Sequence, residues 1–171
     1  MIRSIYFILL ILFPFVAMSQ QTPDGSLTRA GQQAPVFSFE LERGKMISLS
    51  DYKGKIVLIN FFATWCPPCR AEFPRVQNEI WNKYKDNNNF VLLAFAREET
   101  WDTVTKFKQG NAFTFSILPD EGRKIFSLYA TQSIPRNVII DGEGTIIYQS
   151  IGYSPEEFEK MLQLLASRLG S

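Results

Sequence analysis

The chain has 171 residues, 46% of them apolar and 14% aromatic, with 18 basic and 17 acidic side chains and no histidine. That length and apolar content suit one globular domain, and a near-neutral balance without a basic run gives no footprint for nucleic acid. The absence of His removes Ser-His and Cys-His catalysis and imidazole metal sites, and two cysteines alone cannot complete a structural zinc site, so neither metal nor cofactor is expected.

Residues 1–19 (MIRSIYFILLILFPFVAMS) carry one basic residue, Arg3, then an apolar run from Ile5 to Val16 and small residues at Ala17 and Ser19. This is the pattern of a signal peptide cleaved before Gln20, and it predicts export to the periplasm as a soluble domain. The run is shorter than the about 20 residues a spanning helix needs, although an uncleaved signal would act as a membrane anchor. Residues 20–35 are polar and read as a loosely packed leader, which places the folded domain at 36–171.

Apolar residues from Val36 to Leu41 and from Met46 to Leu49 flank Glu42-Arg43-Gly44-Lys45 and predict a hairpin, with a short helical turn over Ser50–Gly54. Lys55 to Phe62 (KIVLINFF) is a continuous β-branched and aromatic run, the mark of a strand buried on both faces. Phe73, Val76, Ile80 and Tyr84 then recur at helical spacing, predicting a helix from Cys66 to Lys85 with a kink at Pro74, which has no N–H to donate. A second buried strand is expected at Phe90–Ala96, a helix at Thr100–Gly110, a short strand at Phe113–Leu118 and a short helix at Arg123–Ala130. Arg136–Asp141 and Thr145–Ser150 flank Asp141-Gly142-Glu143-Gly144, a strong hairpin signal. In the last helix Ser154 caps, Pro155 takes the first position and Glu157 completes a capping box. Strands alternating with helices give an α/β fold with a mainly parallel central sheet and an antiparallel hairpin at its end.

One constellation carries chemistry. Trp65-Cys66-Pro67-Pro68-Cys69 sits where a buried strand hands over to a helix. Cys66 at the helix start meets free N–H groups and the positive end of the macrodipole, which lower a thiol's pKa, while Cys69 lies one turn on and less exposed. Attack by Cys66 on a foreign disulfide gives a mixed disulfide that Cys69 can resolve. A purely structural bond is the bland reading. Closing four residues removes only about 1.9 kcal/mol of unfolded-state entropy, against about 3 for a fifteen-residue loop, so the pair is a poor staple. Trp65 and Trp101 read as packing residues, with Trp65 also placed to shield the motif and touch partners.

NFFATWCPPCRAEFP, followed some sixty residues later by SIPRNVIID, resembles the exported thioredoxin-like oxidoreductases of the TlpA/ResA type over roughly Ala34 to the C-terminus. The resemblance implies a thioredoxin fold with an N-terminal hairpin and an insertion, here the Thr100 helix and the Phe113 strand. It implies a cis bond before Pro135, facing the cysteines, with the backbone of Ile134 pairing with an extended substrate segment beside Trp65 and Pro67. Glu72 matches the acid that ResA-like members carry three residues after the second cysteine. Helical spacing puts it on the face of Cys69, where a buried carboxyl would have a raised pKa and could shuttle a proton. Thioredoxin has a buried Asp where this chain has Asn60. An amide cannot act as a base, so Asn60 reads as a hydrogen-bonded strand residue and any relay falls to Glu72 or water.

Pro67 and Pro68 offer Cys66 no N–H donors, which leaves the thiolate less stabilised and lowers the reduction potential, so the expected activity is a protein-disulfide reductase. Its substrates would be disulfide-bearing exported proteins, apocytochrome c among them, and its electrons would come from a membrane thiol transporter of the CcdA or DsbD kind. The domain is expected to be a monomer. Two other readings compete. A thiol peroxidase would need Thr three residues before its cysteine, where this chain has Ala63 and carries Thr64 out of register. A non-catalytic module would keep the Cys66–Cys69 bond only to hold a loop.

Overall fold

A computed structural model describes residues 24–170. The signal sequence read at 1–19 and the start of the leader lie outside the described residues. The chain forms a hairpin, β1 (Ser38–Glu42) and β2 (Lys45–Ser48), and a five-stranded sheet of β3 (Ile56–Phe62), β4 (Phe90–Arg97), β5 (Ser116–Asp120), β6 (Arg136–Ile140) and β7 (Ile146–Ile151). Five α-helical segments accompany them: α1 (Pro67–Arg75), α2 (Asn82–Tyr84), α3 (Trp101–Gly110), α4 (Phe126–Tyr129) and α5 (Pro155–Leu169).

The sheet order is β5-β4-β3-β6-β7. β3, β4 and β5 are parallel, while β6 is antiparallel to both β3 and β7. Four of the five strands therefore share one direction. β3, an apolar run interrupted only by Asn60, takes the central position and is buried along both faces, as its partner β6 is. Its alternation divides the core. Leu58 and Phe62 join Phe73, Ile80, Phe115 and Phe158 under α1, α3 and α5. Val57, Ile59 and Phe61 join Phe37, Phe39, Phe126 and Tyr129 under the hairpin and α4. Phe73 docks α1 onto the sheet, its ring 4.5 Å from that of Phe62 and edge-on to Phe113 and Phe115.

Several local expectations are corrected. The helix after the cysteines is not α-helical to Lys85: after Pro74 it passes through a π-helical segment, Val76–Trp81, before the last turn at Asn82–Tyr84. A proline that cannot donate to the preceding turn disturbs the register, and here the wider hydrogen-bond spacing absorbs it. β5 lies later than Phe113–Leu118, and the segment Arg123–Ala130 is helical only at Phe126–Tyr129. Ser154 accepts from the Glu157 amide as expected, but the box is half made, because the Glu157 carboxylate accepts instead from Tyr148 and Lys160. A complete capping box stands at Ser48 and Asp51. The described part of the leader is not loose: Ser26 bridges Ala130 and Gln33 bridges Thr145, both antiparallel, and Thr28 is buried.

Candidate active site

β3 ends at Phe62, and the chain turns through Ala63-Thr64-Trp65 to Cys66, whose amide donates to the carbonyl of Ala63 at 3.1 Å. Cys66 is the N-cap of α1, and its sulfur accepts from the Cys69 amide at 3.3 Å. Pro67 and Pro68 occupy the first turn without donors, so the Cys69 N–H is the donor the helix end presents to that sulfur. Cys66 and Cys69 form a disulfide with 5.3 Å between Cα atoms. Both are nearly inaccessible, at 3% and 1%, so the expected difference in exposure is slight in this oxidised state.

The Ile134–Pro135 bond is cis, and the Ile134 carbonyl oxygen lies 4.0 Å from Cys66 Sγ. The two segments joined by the resemblance are thus adjacent in space, although 68 residues apart. Pro135 accepts from the Gly152 amide at 2.8 Å, which pins it to the end of β7. Trp65 corrects the packing expectation: it is 65% exposed beside the cysteine, whereas Trp101 packs against both core clusters and donates to Glu40 at 2.8 Å. Pro67 is exposed as well.

Glu72 is 1% exposed, one helical turn beyond Cys69. Its carboxylate accepts from Asn60 Nδ2 at 3.0 Å and from Asn137 Nδ2 at 2.6 Å. Asn60 also donates to Asn137 Oδ1 at 2.8 Å. Register explains the meeting: Asn60 of β3 pairs with Asn137 of β6, and Asn137 with Ser150 of β7, so three polar residues form a row across the sheet under α1. Burial pushes the Glu72 carboxyl up to about 7, against the two amide donors that favour its charged form. Asn60 is the hydrogen-bonded strand amide its position suggested. Asn137 and Ser150 had not been singled out. Their only signal is alternation, which puts Asn137 on the face of Ile139.

Glu99 was also missed. It is 6% exposed and accepts from both the amide and the hydroxyl of Thr64, at 2.9 and 2.8 Å. It braces the turn that leads into Cys66 and commits the Thr64 hydroxyl to that contact. Among the described residues no cluster of His, Cys, Asp and Glu could hold a metal ion, and no helix is long and apolar enough to cross a membrane.

This arrangement, a helix-capping sulfur bonded to a second one turn on, beside a cis proline and a buried acid, supports dithiol–disulfide exchange. Comparison with known proteins agrees. The Redoxin family model matches residues 29–165. The thiol-disulfide oxidoreductase ResA of Bacillus thuringiensis is 35% identical over 134 residues, covering 78% of this chain and 76% of that one. The thioredoxin-like protein YneN of Bacillus subtilis is 38% identical over 136 residues, covering 78% and 79%. A Bacteroides thetaiotaomicron chain described as a protein disulfide isomerase superposes with a TM-score of 0.81 at 38% identity, covering 86% of this chain and 94% of that one. The chain belongs to the Redoxin family and is a thiol-disulfide oxidoreductase of thioredoxin fold, built around the Cys66–Cys69 pair.

Proposed function

We propose that the chain is exported and reduces disulfides of other exported proteins. The observation that carries the reductase reading is Cys66 at the N-cap of α1, where among the described residues the Cys69 amide is the donor to its sulfur. The apolar run at 5–16 supports export. In the reduced enzyme the Cys66 thiolate attacks one substrate sulfur. A bond forms between Cys66 and that sulfur, and the substrate's second sulfur leaves as a thiolate that takes a proton from solvent. Cys69 then gives its proton to the Glu72 carboxylate and attacks Cys66 Sγ. This releases the first substrate sulfur and leaves the enzyme pair oxidised and the substrate reduced by two electrons. Ile134 and Pro135, with Trp65 and Pro67, hold the substrate segment alongside.

The poor donor supply to Cys66 favours reduction over oxidation, because a thiolate with few hydrogen bonds makes a less stable reduced form. A reduction potential below about −150 mV by glutathione equilibration is expected, and a value above it would reverse the direction. The oxidised pair must then be recharged, and a membrane thiol transporter of the CcdA or DsbD kind fits that need in an oxidising compartment. Apocytochrome c, presenting two cysteines to be kept reduced, fits the substrate class. Insulin reduction by wild type and by Cys66→Ser tests the exchange: loss in the variant is expected, and equal rates would refute it. Cys69→Ser should accumulate mixed disulfides on Cys66 whose partners name the substrates.

A further inference from the structure

Arg136 follows the cis proline as the first residue of β6, pairs with Phe61 and lies on the hairpin side of the sheet, 3% exposed. Its guanidinium spends its donors on two separate segments. Nε donates to the carbonyls of Gln132 and Ser133 at 2.9 and 3.0 Å, in the loop that runs into Ile134. Nη1 donates to Ser26 Oγ at 2.8 Å and Nη2 to the Asp24 carbonyl at 2.5 Å, in the N-terminal segment.

The two segments also run against each other. The Thr131 amide donates to Gly25 at 2.8 Å and the Leu27 amide to Tyr129 at 2.9 Å. Gly25 has φ of +75°, and a Cβ there would lie 2.5 Å from Gln132 Cγ, so the approach needs glycine. Ser133, one residue before Ile134, has φ of +66°, a conformation that a side-chain-bearing residue keeps only when its surroundings hold it. Its carbonyl is one of those Arg136 grips. A planar fork reaches four acceptors in different directions, which a lysine ammonium cannot do.

We propose that Arg136 is a positioning residue for the polypeptide substrate: by clasping Asp24 and Ser26 to Gln132 and Ser133 it sets the backbone of Ile134. The N-terminal segment 24–28 thereby belongs to the recognition apparatus. The proposal rests on the reading that Ile134 and Pro135 receive the substrate segment.

The test compares kcat/KM for insulin disulfides with that for hydroxyethyl disulfide, which is too small to pair with a backbone strand, in the full chain. R136Q is expected to lower the insulin-to-small-disulfide ratio about tenfold, mainly through KM. R136K should resemble R136Q, because it keeps charge and loses the fork. Ser26→Ala, a milder change that keeps the proposal testable should R136Q not fold, should lower the ratio by a smaller factor. A wild-type ratio in Ser26→Ala and in every Arg136 variant that folds would overturn the clasp. Pro135→Ala separates the two levels. If it lowers the ratio while these variants do not, only the clasp fails. If it too leaves the ratio unchanged, the reading beneath it fails as well.

Discussion

Asn60 donates its side-chain amide to the carboxylate of Glu72 at 3.0 Å, from the middle of the central strand to the first turns of α1. The same amide donates to Asn137, which donates in turn to Glu72. An acid sealed in this way is costly as a carboxylate, and the two amides offset part of that cost. It lies one turn beyond Cys69, and its burial raises its carboxyl to about 7.

Stability should carry the mark of this acid. The Glu72 carboxyl is raised from an ordinary 4.5 to about 7 in the folded chain, so between those values the folded state binds more protons than the unfolded one. Stability therefore falls as pH rises through that window, by about 3 kcal/mol from this group, and is level above it. Glu72→Gln should abolish that slope in denaturant unfolding of the oxidised protein. The same slope in both proteins would contradict the assignment.

Asn137→Ala removes one donor from the charged carboxyl and should push it further up, by about one pH unit. If Glu72 must be ionised to accept the Cys69 proton, the acidic limb of the pH–rate profile moves to higher pH with it. An unmoved limb, or one displaced downwards, would uncouple Glu72 from the resolving step.

The cysteine pair, the cap at Cys66, both buried strands and the closing hairpin were legible because each rests on local chemistry. They follow from a thiol spacing, a strand-to-helix junction, β-branched runs and an Asp-Gly turn. Glu72 was singled out by the resemblance, and helical spacing put it on the face of Cys69. Its partner Asn137 was not, because it is 65 residues away and only the β3–β6 register brings it there. Glu99 went unread because its contact with Thr64 spans 35 residues and leaves no local pattern. The leader was misread for a related reason. Polar composition cannot reveal that Ser26 and Asp24 meet a buried arginine more than a hundred residues away.

The Thr64–Glu99 brace predicts a stability effect at the mouth of the site. Thr64→Val keeps the side-chain shape and the amide bond but removes the hydroxyl from a buried carboxylate. It should cost about 2 kcal/mol in denaturant unfolding, with the slope unchanged. A change within about 0.5 kcal/mol, the range of an ordinary surface substitution, would mean that the hydroxyl contact contributes nothing.

Alkylation of the fully reduced protein across pH, followed separately at each cysteine, tests most directly whether the helix end makes Cys66 the nucleophile. Cys66 should react much faster than Cys69 at neutral pH, with its rate inflecting well below the about 8.5 of a free thiol. Equal, slow rates at the two sulfurs, both inflecting at or above that value, would contradict it.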